Sequence, residues 1–164
     1  MQVLGVDPGT ETTGYGIVSE DDAGNLRAIC YGVIKTNKGQ GLEKRLQKIY
    51  QELKQIIFLN KPDGTAVEKL FFKKNMPNAI AVGQARGVIL LAICDSGLDL
   101  AEYTPNEVKQ CVTGYGAADK KQVQEMVKIL LNLDKVPKPD DAADALAIAI
   151  CHLRNFKLVS ISRK

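Results

Sequence analysis

The sequence predicts an α/β domain, a sheet of antiparallel and parallel strands flanked by helices, and three observations carry that expectation. Through the first 36 residues, apolar runs alternate with turn residues and leave no room for a helix. Between Leu42 and Ile57 the apolar positions switch to helical spacing. After that helix a strand-like run returns at Thr65-Ala66-Val67-Glu68, so the chain crosses over before it re-enters the sheet.

Val3-Leu4-Gly5-Val6 has the pattern of a short buried strand; it ends on Asp7, and Pro8-Gly9 must turn. Gly14 to Val18 reads as a second strand, with Thr10 to Thr13 as the hairpin connection. Asp21-Asp22-Ala23-Gly24-Asn25 is a turn, and Leu26 to Thr36 is a third strand rich in β-branched and aromatic residues. Leu42, Leu46, Ile49, Leu53, Ile56 and Ile57 mark one face of an amphipathic helix that ends near Asn60, before Pro62, and should lie across one face of the sheet. The next strand, Thr65 to Glu68, is expected beside the first and parallel to it, which brings Glu68 next to Asp7. Met76-Pro77-Asn78 starts a helix over Ala79 to Ser96, in which Gly83 and Gly87 are spaced for close approach of another element. A fifth strand is expected over Leu98 to Tyr103. Thr104 then caps a short helix with Pro105 in its first turn, and another helix runs from Asp119 to Leu131. Asn132 to Pro139 connects to the last helix, 141–150, for which Asp140 is the natural N-cap.

At 164 residues and 17.9 kDa, residues 1–164 fit one domain with a substantial core. No stretch resembles a membrane span or a signal peptide, so a soluble, cytoplasmic protein is expected. Cys30, Cys94, Cys111 and Cys151 form no C-x-x-C pair and sit among apolar residues, the pattern of reduced core thiols. With His152 as the only histidine, a histidine metal cluster is excluded. The net charge of +3 is modest, but its distribution is not. From Lys35 to Lys74 ten basic residues face four acidic ones, either a solvated helix face or support for a polyanionic partner. Phe71-Phe72-Lys73-Lys74 likewise reads either as a hydrophobic anchor with solvated lysines or as a loop that stacks on bases and contacts phosphates.

Four carboxylates recur at element ends: Asp7, Glu68, Asp141 and Asp144. The helix dipole accounts for Asp140 and Asp141 in a first turn. Asp144 is different, because an ionised group amid alanines and isoleucines needs a partner or a metal. Hard divalent cations such as Mg2+ take oxygen ligands, and a pair of them about 3.5–4 Å apart can clamp the attacking and leaving oxygens of a phosphodiester.

The segments GVDPGTETTGYG, AVEKLFFKKN, GQARGV, NEVKQCVTGYGAADKKQVQ and DDAADALAIAICH resemble, in order and over nearly the whole chain, the successive motifs of the RuvC family of bacterial Holliday junction resolvases. That resemblance implies a ribonuclease H-like fold with a mixed five-stranded sheet. It also implies a crossover junction endodeoxyribonuclease of homologous recombination and DNA repair, a homodimer that makes paired nicks in four-way junction DNA and leaves 5′-phosphate and 3′-hydroxyl ends. Two Mg2+ ions per subunit, with Mn2+ able to substitute, and the branch-migration partners RuvA and RuvB follow from the same resemblance. Matched motif by motif, the catalytic and metal-binding acids are Asp7, Glu68, Asp141 and Asp144, the D-A-A-D spacing selecting Asp141 over Asp140. Phe71 matches an aromatic residue near the junction crossover. Lys109, and Lys120 or its neighbour Lys121, match basic residues that bind DNA or assist cleavage.

Rival readings remain distinguishable. D-x-G-T followed by G-Y-G also resembles the phosphate loop of actin-like and sugar-kinase ATPases, but those need a second phosphate-binding half and a longer chain. A nuclease of the same fold acting on structured RNA, and a non-catalytic junction-binding protein, are separated from the resolvase by cleavage assays on four-way DNA, duplex DNA and RNA.

Overall fold

The computed structural model describes residues 1–69 and 79–162, the last seven as backbone alone. Its centre is the strand β1 (Gln2–Asp7). β2 (Thr12–Glu20) returns antiparallel to it, with Asp7 opposite Gly14, and β3 (Leu26–Lys35) pairs antiparallel with β2. The helix α1 (Leu42–Asn60) then crosses over, and β4 (Gly64–Glu68) enters parallel to β1, with Val6 opposite Val67. After α2 (Ala79–Cys94), β5 (Leu100–Tyr103) adds parallel to β4. The sheet order is β3-β2-β1-β4-β5, which places β1 in the middle. Three helices follow: α3 (Pro105–Thr113), α4 (Lys120–Leu130) and α5 (Asp140–Ser162).

Alternation along the strands divides the core into two layers. Leu4, Val6, Ile17 and Val67 face α1 and α2, where they meet Ile49, Leu53, Ile57, Ala85 and Ile89. Val3, Val18 and Ala66 face the other way, toward α3, α4 and α5, where Val108, Val127, Leu146 and Ile150 complete the layer. Asp7 has the parity of Val3, and Glu68 that of Ala66, so both carboxylates leave the sheet on the α5 side.

Two glycines let α5 sit close on that side. A Cβ at Gly5 would run into the Ala145 carbonyl oxygen, and one at Gly14 into that of Asp141. The helix can therefore lie almost on the backbones of β1 and β2 with its first turn over the end of β1. Its middle is buried on every side, from Ala145 to Cys151, which explains the all-round apolar sequence.

Several expectations are corrected. Asp140 is not a cap outside α5 but its first residue, and the helix continues to Ser162, well past 150. β2 begins at Thr12, inside the expected hairpin connection, and β5 is two residues shorter than expected. Cys94 is an exposed rather than a core thiol. Among the described residues, Gly87 has no neighbour within 4 Å of where a Cβ would stand, so no described element approaches closely there. The start of α2 at Met76-Pro77-Asn78, and with it Phe71, Lys73 and Lys74, lies outside the described residues. Among the described residues no helix is long and apolar enough to cross a membrane.

Candidate active site

The register and parity of the central strands place Asp7 and Glu68 side by side at the same end of the sheet. Asp141 and Asp144, three residues apart on α5, share the face that overlies them. All four carboxylates interact. Burial pushes the Asp7 carboxyl well above the usual carboxylate range, and the charges of Glu68, Asp144 and Asp141 push it further. Glu68 is raised by burial and by Asp144, and Asp144 is raised by burial and by its acidic neighbours. Asp140 stands apart. Its carboxylate accepts from Lys138 Nζ at 2.7 Å, which holds it below the usual range, and its charge does not figure among those acting on Asp7.

Lys120 is paired with this concentration of negative charge. Lys120 Nζ lies 2.9 Å from Asp144 Oδ2 and 3.7 Å from Asp140 Oδ2. Partial desolvation works against its ammonium, but the hydrogen bond to Asp144 and the surrounding acidic charges outweigh it and hold Lys120 above its ordinary value. Local structure fixes the position: Asp119 accepts from the Gln122 backbone N–H at 2.8 Å while the Gln122 side chain accepts from the Asp119 N–H at 2.9 Å, a capping box that starts α4 at Lys120. Lys121 is exposed on the next position. Lys109, on α3, is near enough to draw the Glu68 carboxyl down.

The turn after Asp7 is tied from two directions. Thr13 Oγ1 donates to the Gly9 carbonyl at 2.6 Å, Thr36 Oγ1 donates to the Thr10 carbonyl at 2.5 Å, and Arg45 Nε donates to Thr36 Oγ1 at 3.0 Å. Thr36, just past the end of β3, and Arg45, on α1, escape a reading of motifs because they are distant in sequence; the local signal is the run of threonines in GTETT.

The donors are all carboxylate oxygens, as a hard divalent cation requires. The raised pKa values of Asp7, Glu68 and Asp144 reflect burial first and the charge of their acidic neighbours second, and a divalent cation would offset both. Among the described residues no three His, Cys, Asp or Glu side chains are placed to hold a metal ion as they stand; the Lys120 ammonium provides the counter-charge to Asp144 instead. The arrangement therefore offers a half-buried, acidic, oxygen-lined cluster at the end of the central strand.

A family model for the crossover junction endodeoxyribonuclease RuvC matches residues 3–152. The chain belongs to the RuvC family. A RuvC from Syntrophomonas wolfei is 52% identical over 160 residues, covering 98% of this chain and 92% of the relative. The structure of Thermus thermophilus RuvC superposes with a TM-score of 0.89 at 34% identity, covering 96% of both chains. The same Thermus protein in complex with a Holliday junction substrate gives a TM-score of 0.87 at 32% identity, again over 96% of both. The ribonuclease H-like, five-stranded architecture implied by the motifs is thereby borne out, and so is membership of a nuclease family. In RuvC terms, four of the five motifs follow the layout above: three of them bring β1, β4 and the start of α5 to one end of the sheet, and NEVKQCVTGYGAADKKQVQ adds Lys109 and Lys120 from α3 and α4, while GQARGV lies on α2.

Proposed function

We propose that this chain resolves four-way DNA junctions by paired, symmetric, Mg2+-dependent nicks that leave 5′-phosphate and 3′-hydroxyl ends, in homologous recombination and DNA repair. The observation that carries the reading is the parallel register that sets Asp7 beside Glu68 at the end of the central strand, with the start of α5, carrying Asp141 and Asp144, packed over the same end. Bound to these acids, two Mg2+ ions, or Mn2+ in their place, would supply an activated water and charge relief for the departing 3′ oxygen. Asp7, Glu68, Asp141 and Asp144 hold them, and the pinned turn after Asp7 keeps the backbone clear of the approaching phosphate. Asp141, rather than Asp140, is the ligand, because Lys138 already neutralises Asp140 on the outer side. With metal bound at Asp144, Lys120 would be free to meet a phosphate oxygen, and Lys109, with Lys121, Phe71, Lys73 and Lys74, would meet the DNA around the cut.

A synthetic mobile four-way junction with end-labelled strands tests the reading directly. Paired cuts at symmetric positions in Mg2+, with ends that a ligase seals, are the expected result. Binding without cutting in either Mg2+ or Mn2+ would leave a junction-binding protein, and preferential cutting of structured RNA would make it a ribonuclease.

Lys120→Ala should lower cleavage by about 10²-fold, the scale of losing one charged group that stabilises the transition state. Lys121→Ala should weaken junction binding without that loss, since its side chain makes no contact with the acids. Equal effects of the two substitutions on single-turnover cleavage would remove Lys120 from its special role.

A two-fold homodimer suits a substrate that needs two cuts. Support comes from α2, where Ile80 is 81% exposed and Leu91 59% exposed on the same side of the helix as Gly87. Such an apolar stripe around an open glycine lets a second copy of the helix come close. Leu91→Asp is expected to shift the protein from dimer to monomer in sedimentation and to convert paired cuts into single nicks; a dimer that survives the substitution would take α2 out of the interface. RuvA and RuvB, the branch-migration partners implied by family resemblance, would present the junction to this dimer.

A further inference from the structure

Away from the acidic site, two thiols meet where α3 packs on α5. Cys111, half-buried on α3, points its Sγ at the Cys151 carbonyl oxygen 3.8 Å away, and the buried Cys151 points its own Sγ at the Glu107 carbonyl oxygen at 3.9 Å. Each thiol thus reaches across the α3–α5 contact to a backbone carbonyl on the other's helix, that of Cys151 itself for Cys111 and that of the residue one turn before Cys111 for Cys151. Arg154 Nη1 donates to the Cys111 carbonyl at 2.6 Å, and Asn155 Nδ2 donates to Cys151 Sγ at 3.4 Å. Cys111 also lines a surface cavity of about 630 Å³ shared with Gln110, Arg154 and Asn155, whereas Cys151 lies behind it. One thiol is thus reachable by a small solute and the other is held against it from the inside.

We propose that Cys111 and Cys151 form a peroxide-sensitive dithiol, Cys111 meeting the oxidant and Cys151 resolving it into a disulfide. The Cys111 thiolate attacks one peroxide oxygen, the O–O bond breaks, and the sulfur keeps a hydroxyl as a sulfenic acid. The other oxygen leaves as hydroxide and takes up the proton that the thiol had released. Cys151 sulfur then attacks the sulfenyl sulfur, the S–S bond forms, and the S–O bond breaks to release the hydroxyl with the Cys151 proton as water. Two thiols lose two electrons in all, and one peroxide becomes two waters. The roles follow from the surroundings. Hydrogen bonding from Cys151 and, against the opposing effect of burial, the Arg154 guanidinium bring the Cys111 thiol down to about 7, while donating that hydrogen bond and being buried push Cys151 up.

The bond would tie α3, which carries Lys109, to α5, which carries Asp141 and Asp144, and its effect on cutting rests on the function proposed above. The test treats the full chain with a small excess of hydrogen peroxide, blocks remaining thiols, and maps peptides without reduction. The expected product is a Cys111–Cys151 peptide pair lighter by two hydrogens and restored by dithiothreitol, with Cys30 and Cys94 still alkylated. Junction cleavage should fall by about tenfold on oxidation and recover on reduction, and Cys111→Ser should abolish the response. The mass readout stands whether or not the chain cuts junctions, so its failure is separable from failure of the nuclease reading. Cys111 staying alkylatable at peroxide levels that oxidise Cys94, or passing to sulfinic acid with no link to Cys151, would overturn the dithiol. A linked pair with cleavage unchanged would overturn its control of the site.

Discussion

Asp7→Asn should cut junction cleavage by at least about 10³-fold while leaving junction affinity essentially unchanged, because the carboxylate serves the metal and repels phosphate. The same substitution should make the metal-free protein more stable at neutral pH. Burial, then Glu68, Asp144 and Asp141, oppose ionisation of Asp7, so its pKa is raised in the folded state. Below the unfolded value, near 3.9, the group is protonated in both states and costs nothing. The cost grows as pH rises from there and is complete above the folded pKa, so the stabilisation by Asp7→Asn should appear over that interval and persist at pH 7. For a chain of this size each kcal/mol relieved is worth roughly 2–4 °C in melting temperature. Thermal melts in chelator from acid to neutral pH, beside cleavage in Mg2+, check both halves. Cleavage at the parent rate would sink the catalytic assignment, and a lower melting temperature at neutral pH would sink the electrostatic one. Asp144→Asn should also stop cutting but bring less stabilisation, because it removes the hydrogen-bonding partner of Lys120.

The second large effect concerns the glycines under α5. Gly14→Ala puts a methyl group into the Asp141 carbonyl, and Gly5→Ala puts one into the Ala145 carbonyl. Since both obstacles are helix backbone, the helix must move. Overpacking of this kind costs about 1–3 kcal/mol. The effect on cleavage should exceed what the lost stability explains, because Asp141 and Asp144 ride on the displaced turn, and a misplacement of about 1 Å can cost roughly 10²-fold. Single-turnover cleavage measured well below the melting temperature separates the two contributions. Parent-like melting and cleavage by Gly14→Ala would show that α5 is not held where the contact places it.

Much of this layout was legible in the sequence, because the relevant signals are local. Thr104-Pro105 announced the start of α3, Pro62 the end of α1, and the crossover into Thr65 to Glu68 the parallel pairing that sets Glu68 beside Asp7. What could not be read depends on contacts between distant segments. Thr36 and Arg45 as anchors of the turn after Asp7 arise only once the chain is folded. The end of α5 was missed for a related reason: beyond Ile150 the apolar run gives way to His152, Arg154 and Asn155, and the helix is prolonged while Leu153 packs in the core and Arg154 bonds to α3. The choice between Lys120 and Lys121 also needed the structure, since side-chain chemistry alone does not separate them.

That choice has a simple origin in the capping box at Asp119. A helix turns by about 100° per residue, so two adjacent lysines point in quite different directions, and the capped first turn together with burial of Val123 and Val127 sets which one faces Asp144. Deleting one residue between Gly114 and Ala118, with the cap carried along, would leave composition and charge almost untouched; removing the cap itself would free α4 to begin elsewhere. In either case the wheel is reset, and a different lysine can come round to Asp144. The Asp119–Gln122 pair is therefore an angular key, one that selects between two identical bases without touching either of them.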